Sequence, residues 1–80
     1  MNIQKVLHDK TLTSTEKVIY TEVYIQNMMN HYCSMTNGEI GRMLNLSNKT
    51  ISRSLTKLHK LNYLTVFNEG TVRIVKINKN

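Results

Sequence analysis

From Ser47 to Lys60 the chain reads Ser-Asn-Lys-Thr-Ile-Ser-Arg-Ser-Leu-Thr-Lys-Leu-His-Lys. Its polar members are the types that bond nucleic acid. Asn48 can donate to and accept from the edge of an adenine at once, and Arg53 or Lys49 can meet the O6 and N7 of a guanine. The hydroxyls of Ser47, Ser52 and Thr56 can bond any base edge. Lys57, Lys60 and Arg42 are of the types that bond phosphates, which hold register on a duplex but carry no sequence information. The plain alternative is a solvated polar face, which every small helical protein has. Against it stands the absence of any acidic residue from Ile40 to Asn68.

Other chemistries fit less well. His31 and Cys33 form a lone His-x-Cys pair, and a structural zinc site needs four ligands, so the metal reading lacks its second half. Cys33 reads instead as a small core hydrophobe. The five acids are scattered, and no nucleophile, base and orienting group stand in a recognisable arrangement. The chain is therefore read as a non-enzyme with no cofactor and no small-molecule effector.

The elements that must carry these residues follow from spacing and punctuation. Residues 2–10 hold Ile3, Val6 and Leu7 at helical spacing, a short amphipathic signal. Thr13-Ser-Thr-Glu16 reads as a capping box that opens a helix to about Asn30. The apolar residues of that helix cover most of its circumference, which predicts burial on more than one side. Tyr20, Tyr24 and Met28 share one stripe, read either as core or as a homodimer interface. Asn30 to Met35 has no periodicity and reads as a loop or a short strand.

Thr36-Asn-Gly-Glu39 is a second capping box, opening a short helix through Leu44. Asn45 suits the turn because asparagine tolerates the left-handed conformation. Ser47 can cap a third helix, in which Ile51, Leu55 and Leu58 recur at spacings of three and four. Two β-branched and aromatic runs follow, Tyr63 to Phe67 and Thr71 to Ile77. Asn68-Glu69-Gly70 between them reads as a three-residue hairpin loop. Pairing Phe67 with Thr71 predicts that Leu64, Val66, Val72 and Ile74 share the buried face, and that Thr65, Phe67, Thr71 and Arg73 share the other.

Size and charge narrow the function. Eighty residues at 9.3 kDa make one small domain over 1–80, with a core too thin for a deep enzyme pocket. Hydrophobic residues at 40% suffice for a folded core, and one cysteine rules out an internal disulfide. No apolar run approaches a membrane span and no signal-peptide pattern occurs, which predicts a cytoplasmic protein. The net charge of +6 is uneven. Residues 1–39 set Lys5, Lys10 and Lys17 against Asp9, Glu16, Glu22 and Glu39. Residues 40–80 set Arg42, Lys49, Arg53, Lys57, Lys60, Arg73, Lys76 and Lys79 against Glu69 alone. Such asymmetry points to a polyanion-binding second half.

The stretch from Glu39 to Leu55 resembles a helix-turn-helix. Ile40, Ile51 and Leu55 match its core positions, Gly41 the position that must be small, and Asn45 the turn. With Leu12-Thr-Ser-Thr-Glu-Lys, Tyr32-Cys-Ser-Met-Thr-Asn, Leu58-His-Lys-Leu-Asn-Tyr-Leu and the hairpin, the likeness extends over about 12–77. It is to winged helix-turn-helix domains of small transcriptional regulators and of replication proteins from Gram-positive plasmids and phages.

The resemblance implies a mainly α fold with a β-hairpin: a three-helix core, a two-stranded wing and a short N-terminal helix. The helix-turn-helix falls at about 36–62 and the wing at about 63–77. Base-reading residues are then Ser47, Asn48, Lys49, Ser52, Arg53 and Thr56. Phosphate contacts are Thr36, Asn37, Arg42, Lys57, Lys60, Arg73 and Lys76. Glu69 departs from the basic wing tip of the family and repels phosphate.

The expected partner is double-stranded DNA, bound by a small transcriptional regulator, with a homodimer and no membrane. The alternatives are the origin-binding domain of a replication initiator, or a winged helix that inhibits a protein or ribonucleoprotein. The absence of alanine and proline and the abundance of asparagine and lysine suit an AT-rich coding sequence, hence a phage, plasmid or bacterium of low GC content.

Overall fold

A computed structural model describes residues 3–79. It contains four helices, α1 (Ile3–His8), α2 (Ser14–Asn30), α3 (Asn37–Leu44) and α4 (Asn48–Lys60), and two strands, β1 (Leu64–Glu69) and β2 (Val72–Ile77). The fold is mainly helical with one antiparallel hairpin. No helix among the described residues is long and apolar enough to cross a membrane.

Both capping boxes form as expected. The Thr13 N–H donates to the Glu16 carboxylate at 2.8 Å, and the Glu16 N–H returns a bond to the Thr13 hydroxyl at 3.1 Å. Thr36 and Glu39 repeat the exchange at 2.9 and 3.1 Å. Each cap satisfies helix-end donors that otherwise face water, a gain of about 1 kcal/mol. His31, in the left-handed region at φ 71°, ends α2 by donating its N–H to the Asn27 carbonyl.

The core joins Val6 and Leu12 to Ile19, Tyr20 and Val23 of α2, Ile40 of α3, Ile51, Leu55 and Leu58 of α4, and Leu64, Val75 and Ile77 of the hairpin. Tyr20 lies wholly inside it, packed edge-on against Tyr63. The stripe Tyr20–Tyr24–Met28 is thus not one surface. Its first member is core, Tyr24 is partly buried against the core, and only Met28 is exposed. The expected burial of α2 on more than one side is also not met, because Val18, Ile25, Met28 and Met29 stay exposed. A four-helix chain of this length has too few elements to cover both sides of its longest helix.

The hairpin corrects the sequence register. Glu69 pairs with Val72 and Phe67 with Ile74, so the connection is the two residues Gly70 and Thr71, with Gly70 at φ 63°. This register differs from the expected pairing of Phe67 with Thr71 by three residues. An odd slip exchanges the faces. Leu64, Val66, Val75 and Ile77 turn to the core, Val72 and Ile74 join Phe67 on the opposite face, where Ile74 is buried as expected while Val72 and Phe67 are exposed, and Arg73 turns inward. β2 is apolar in both phases, and the core selects the phase in which two of its residues bury beside Leu64.

Of the stretch Asn30 to Met35, read as loop or short strand, Asn30 ends α2 and the rest contributes a single bridge. Cys33 and Val75 exchange N–H···O bonds of 2.9 and 2.8 Å. The buried Asn27 seals the same seam. Its amide donates to the carbonyls of Val23 (2.9 Å) and Val75 (3.2 Å), and its oxygen accepts from the Ile77 N–H at 3.1 Å. Burial pushes the Cys33 thiol pKa up, as desolvation disfavours the thiolate.

Two contacts bind the segment between α1 and α2 to the far end of α4. The Lys57 ammonium donates to the Thr11 carbonyl at 2.7 Å and to Glu16 at 3.0 Å. Burial pushes the Glu16 carboxyl up, but bonds from the Thr13 N–H and from Lys57 outweigh it and leave the pKa lowered. The Tyr63 hydroxyl donates to Asp9 at 2.5 Å. Bonds from Thr11 and from Tyr63 hold the Asp9 carboxyl down at about 2. A carboxylate so depressed stabilises the fold above its unfolded pKa, and the contribution fades as pH falls through the folded value. Asp9→Asn should therefore destabilise at neutral pH, with the difference from wild type shrinking as pH drops from about 4 towards 2. Urea titrations across that window check this; a difference independent of pH would refute it.

Candidate nucleic-acid interface

α3 and α4 are joined by Asn45, Leu46 and Ser47 alone. Asn45 takes the left-handed conformation at φ 58° and ψ 48°. The Leu46 N–H donates to the Gly41 carbonyl at 2.8 Å. A Cβ on Gly41 would stand 2.5 Å from the Leu46 carbonyl oxygen, so only glycine permits this approach without moving the backbone. The Ser47 hydroxyl then caps α4, accepting from the Thr50 N–H at 3.1 Å.

With the turn set, α4 buries Ile51, Ser54, Leu55 and Leu58 and turns its other side outward. Asn48, Lys49, Ser52, Arg53 and Thr56 are all exposed on that side, and Lys60 ends it. Among the described residues Lys49, Arg53, Lys60 and Arg42 make no ion pair, the sole one being Lys57 with Glu16. Ser47 is spent on its cap and on a 2.9 Å bond with the Thr50 hydroxyl. The Thr56 hydroxyl donates to the Ser52 carbonyl at 2.9 Å and keeps its lone pairs outward.

The residues expected at phosphates are dispersed. Arg42 and Lys60 are exposed on α3 and α4. Lys57 is half-buried and committed to Glu16 and Thr11. Lys76 is exposed on the outer face of the hairpin beside Ile74 and Phe67, away from the groove that faces α4. Arg73, expected on the polar outer face, lies half-buried beneath the hairpin. Its guanidinium donates to the Asn37 side chain and to the Met35 carbonyl at 2.6 Å, while its buried Nε has no partner. The guanidinium fork thus clamps β2 to the start of α3.

A groove of about 190 Å³ runs between α4 and the hairpin, lined by Asn37, Ser52, Leu55, Thr56, His59, Val66 and Arg73. His59, exposed to solvent, is held there by a 3.1 Å contact between its Nδ1 and the Leu64 carbonyl. Its spacing of three from Thr56 and seven from Ser52 was the available signal, since such residues share a helix face. Inward Arg73 had no such signal, because its direction depends on the hairpin register. Beside the groove, Thr36, Asn37, Gly38, Asn48, Thr71 and Arg73 surround a shallow hollow at the start of α3. Among the described residues no three of His, Cys, Asp or Glu converge as metal ligands: His31 is exposed and Cys33 is buried. No family model matches the chain, and no curated protein matches it.

Two substitutions test this construction. Gly41→Ala must displace the Leu46 carbonyl and should cost about 2 kcal/mol, lowering the melting temperature by roughly 10 °C. Arg73→Met and Asn37→Ala should each destabilise, with a coupling of about 1 kcal/mol in a double-mutant cycle read by urea unfolding. Simple additivity of the two losses would mean that the clamp contributes nothing.

Proposed function

We propose that the chain is a winged helix-turn-helix protein that binds double-stranded DNA sequence-specifically, as a small transcriptional regulator. The observation that carries this reading is the outer face of α4. It presents Asn48, Lys49, Ser52, Arg53 and Thr56 together, and no carboxylate occurs from Ile40 to Asn68. An α-helix fits the major groove, and residues near its N-terminus reach base edges. In this reading Asn48 bonds an adenine, and Arg53 or Lys49 a guanine.

Lys60 and Arg42 neutralise flanking phosphates. Thr36 and Asn37 belong to the start of α3, where the Thr36 N–H is taken by Glu39 and the N–H groups of Asn37 and Gly38 remain to suit a phosphate oxygen. Lys57 and Arg73 leave the set of DNA contacts and serve the protein itself, because each already holds hydrogen bonds to neighbouring segments. Glu69 on the hairpin repels the duplex and keeps its tip out of a groove.

Lys60 and Arg42 set the salt dependence. Each phosphate neutralised contributes about −0.9 to the log–log slope of affinity against salt, so these two contacts give about −1.8. Arg53→Ala should cost about 1–3 kcal/mol at a selected site and relax preference at one base pair. Lys60→Ala should weaken all sequences alike and make the slope shallower by about one. Selection from randomised duplexes at two salt concentrations, followed by binding of both variants, measures this. Equal, sequence-blind losses from the two would sink base reading by Arg53, and a wild type that enriches no sequence would sink the proposed function. Whether enriched sites fall at promoters or at an origin separates a regulator from an initiator.

A further inference from the structure

His59 has no part in the DNA contacts proposed above, yet it lies on the face that carries them. It stands three residues after Thr56 and seven after Ser52, on one side of α4, and lines the groove between α4 and the hairpin together with them. Its side chain is exposed to solvent. The 3.1 Å contact of Nδ1 with the Leu64 carbonyl decides what the ring can do. A carbonyl oxygen only accepts, so Nδ1 carries the proton of the neutral ring. Nε2, across the ring from that bond, then holds a bare lone pair. It becomes an N–H donor only when the ring takes up a second proton.

The charges around the ring offer a protonated His59 no anion of the chain. Arg73 of β2 is the one other charged residue lining the groove among the described residues, while Asn37 of α3 and Val66 of β1 are neutral. On α4 itself Lys57 precedes the ring and Lys60 follows it. Glu16 of α2, which packs against α4, is engaged with Lys57. The counter-ion of a charged His59 must therefore come from outside the chain.

We infer that His59 is a pH-dependent phosphate contact, an inference that rests on the DNA-binding reading. The protonated ring donates from Nε2 to a phosphate oxygen of the duplex, and the neutral ring turns only a lone pair towards it. Histidine is the side chain whose ordinary charge change falls between about pH 5 and 8. Because the complex retains a proton that the free ring gives up, affinity rises as pH falls through that range. One more phosphate is then neutralised, so the salt slope steepens by about 0.9.

Two measurements on the full chain test this, the first without DNA. Nitrogen-15 spectra of the imidazoles at pH 8 should show the His59 proton on Nδ1; a proton on Nε2 overturns the inference. Second, one random-sequence duplex should bind about fivefold tighter at pH 5.5 than at pH 8, the worth of one exposed ion pair, with the steeper salt slope. His59→Gln, which cannot take up a proton, should lose that difference, and His8→Gln on α1 should retain it. Far-UV circular dichroism checks that each variant is folded at both pH values. A duplex bound alike by wild type at both, or a difference that persists in His59→Gln, overturns the inference and leaves DNA binding standing. A wild type that binds no duplex at either pH overturns both.

Discussion

The close approach of Gly41 to Leu46 is the constraint from which the candidate interface follows. A hydrogen in place of a Cβ lets the Leu46 carbonyl lie where any side chain would collide with it. The chain can then leave α3 through one left-handed residue, Asn45, and enter α4 two residues later under the Ser47 cap. That short path buries Ile40 and Ile51 in one core. It also fixes which side of α4 is left over. The exposed row of amide, hydroxyl and cationic groups is the complement of the row that packs inward.

A second layer of contacts holds this unit against the rest of the chain. Asn27, buried yet satisfied on both ends of its amide, ties α2 to β2. Arg73 ties β2 to the start of α3. Lys57 and Tyr63 tie the C-terminal end of α4 and the residues after it to the segment around Asp9 and Glu16. In so thin a core these polar ties set the angles between elements that apolar packing leaves loose.

Four of the five acids are held in the same framework. Glu16 and Glu39 close capping boxes, Asp9 receives Thr11 and Tyr63, and Glu22 receives Gln26. Placed as they are, they leave the outer face of α4 without a counter-ion. The positive potential proposed to attract DNA thus arises as much from where the carboxylates are held as from the number of lysines and arginines.

Local signals determined a large part of this protein. Two capping boxes, a serine cap, an asparagine suited to a left-handed turn and helical spacing of apolar residues place α2, α3 and α4, because each acts within four or five residues. The same spacing marks Asn48, Lys49, Ser52, Arg53 and Thr56 as the outer face of α4. What local spacing could not supply depended on contacts between distant segments. β2 is apolar in both phases, so only packing of Val75 and Ile77 against the core decided the hairpin register, and with it the inward turn of Arg73. Nor does a sequence count how many neighbours a helix will have: α2 is apolar nearly all round, and the tertiary structure alone decided that Tyr20 is core while Val18 and Ile25 face outward. The physical reason is common to both cases. Periodicity shows which residues share a face, but burial depends on which elements are near enough to cover it.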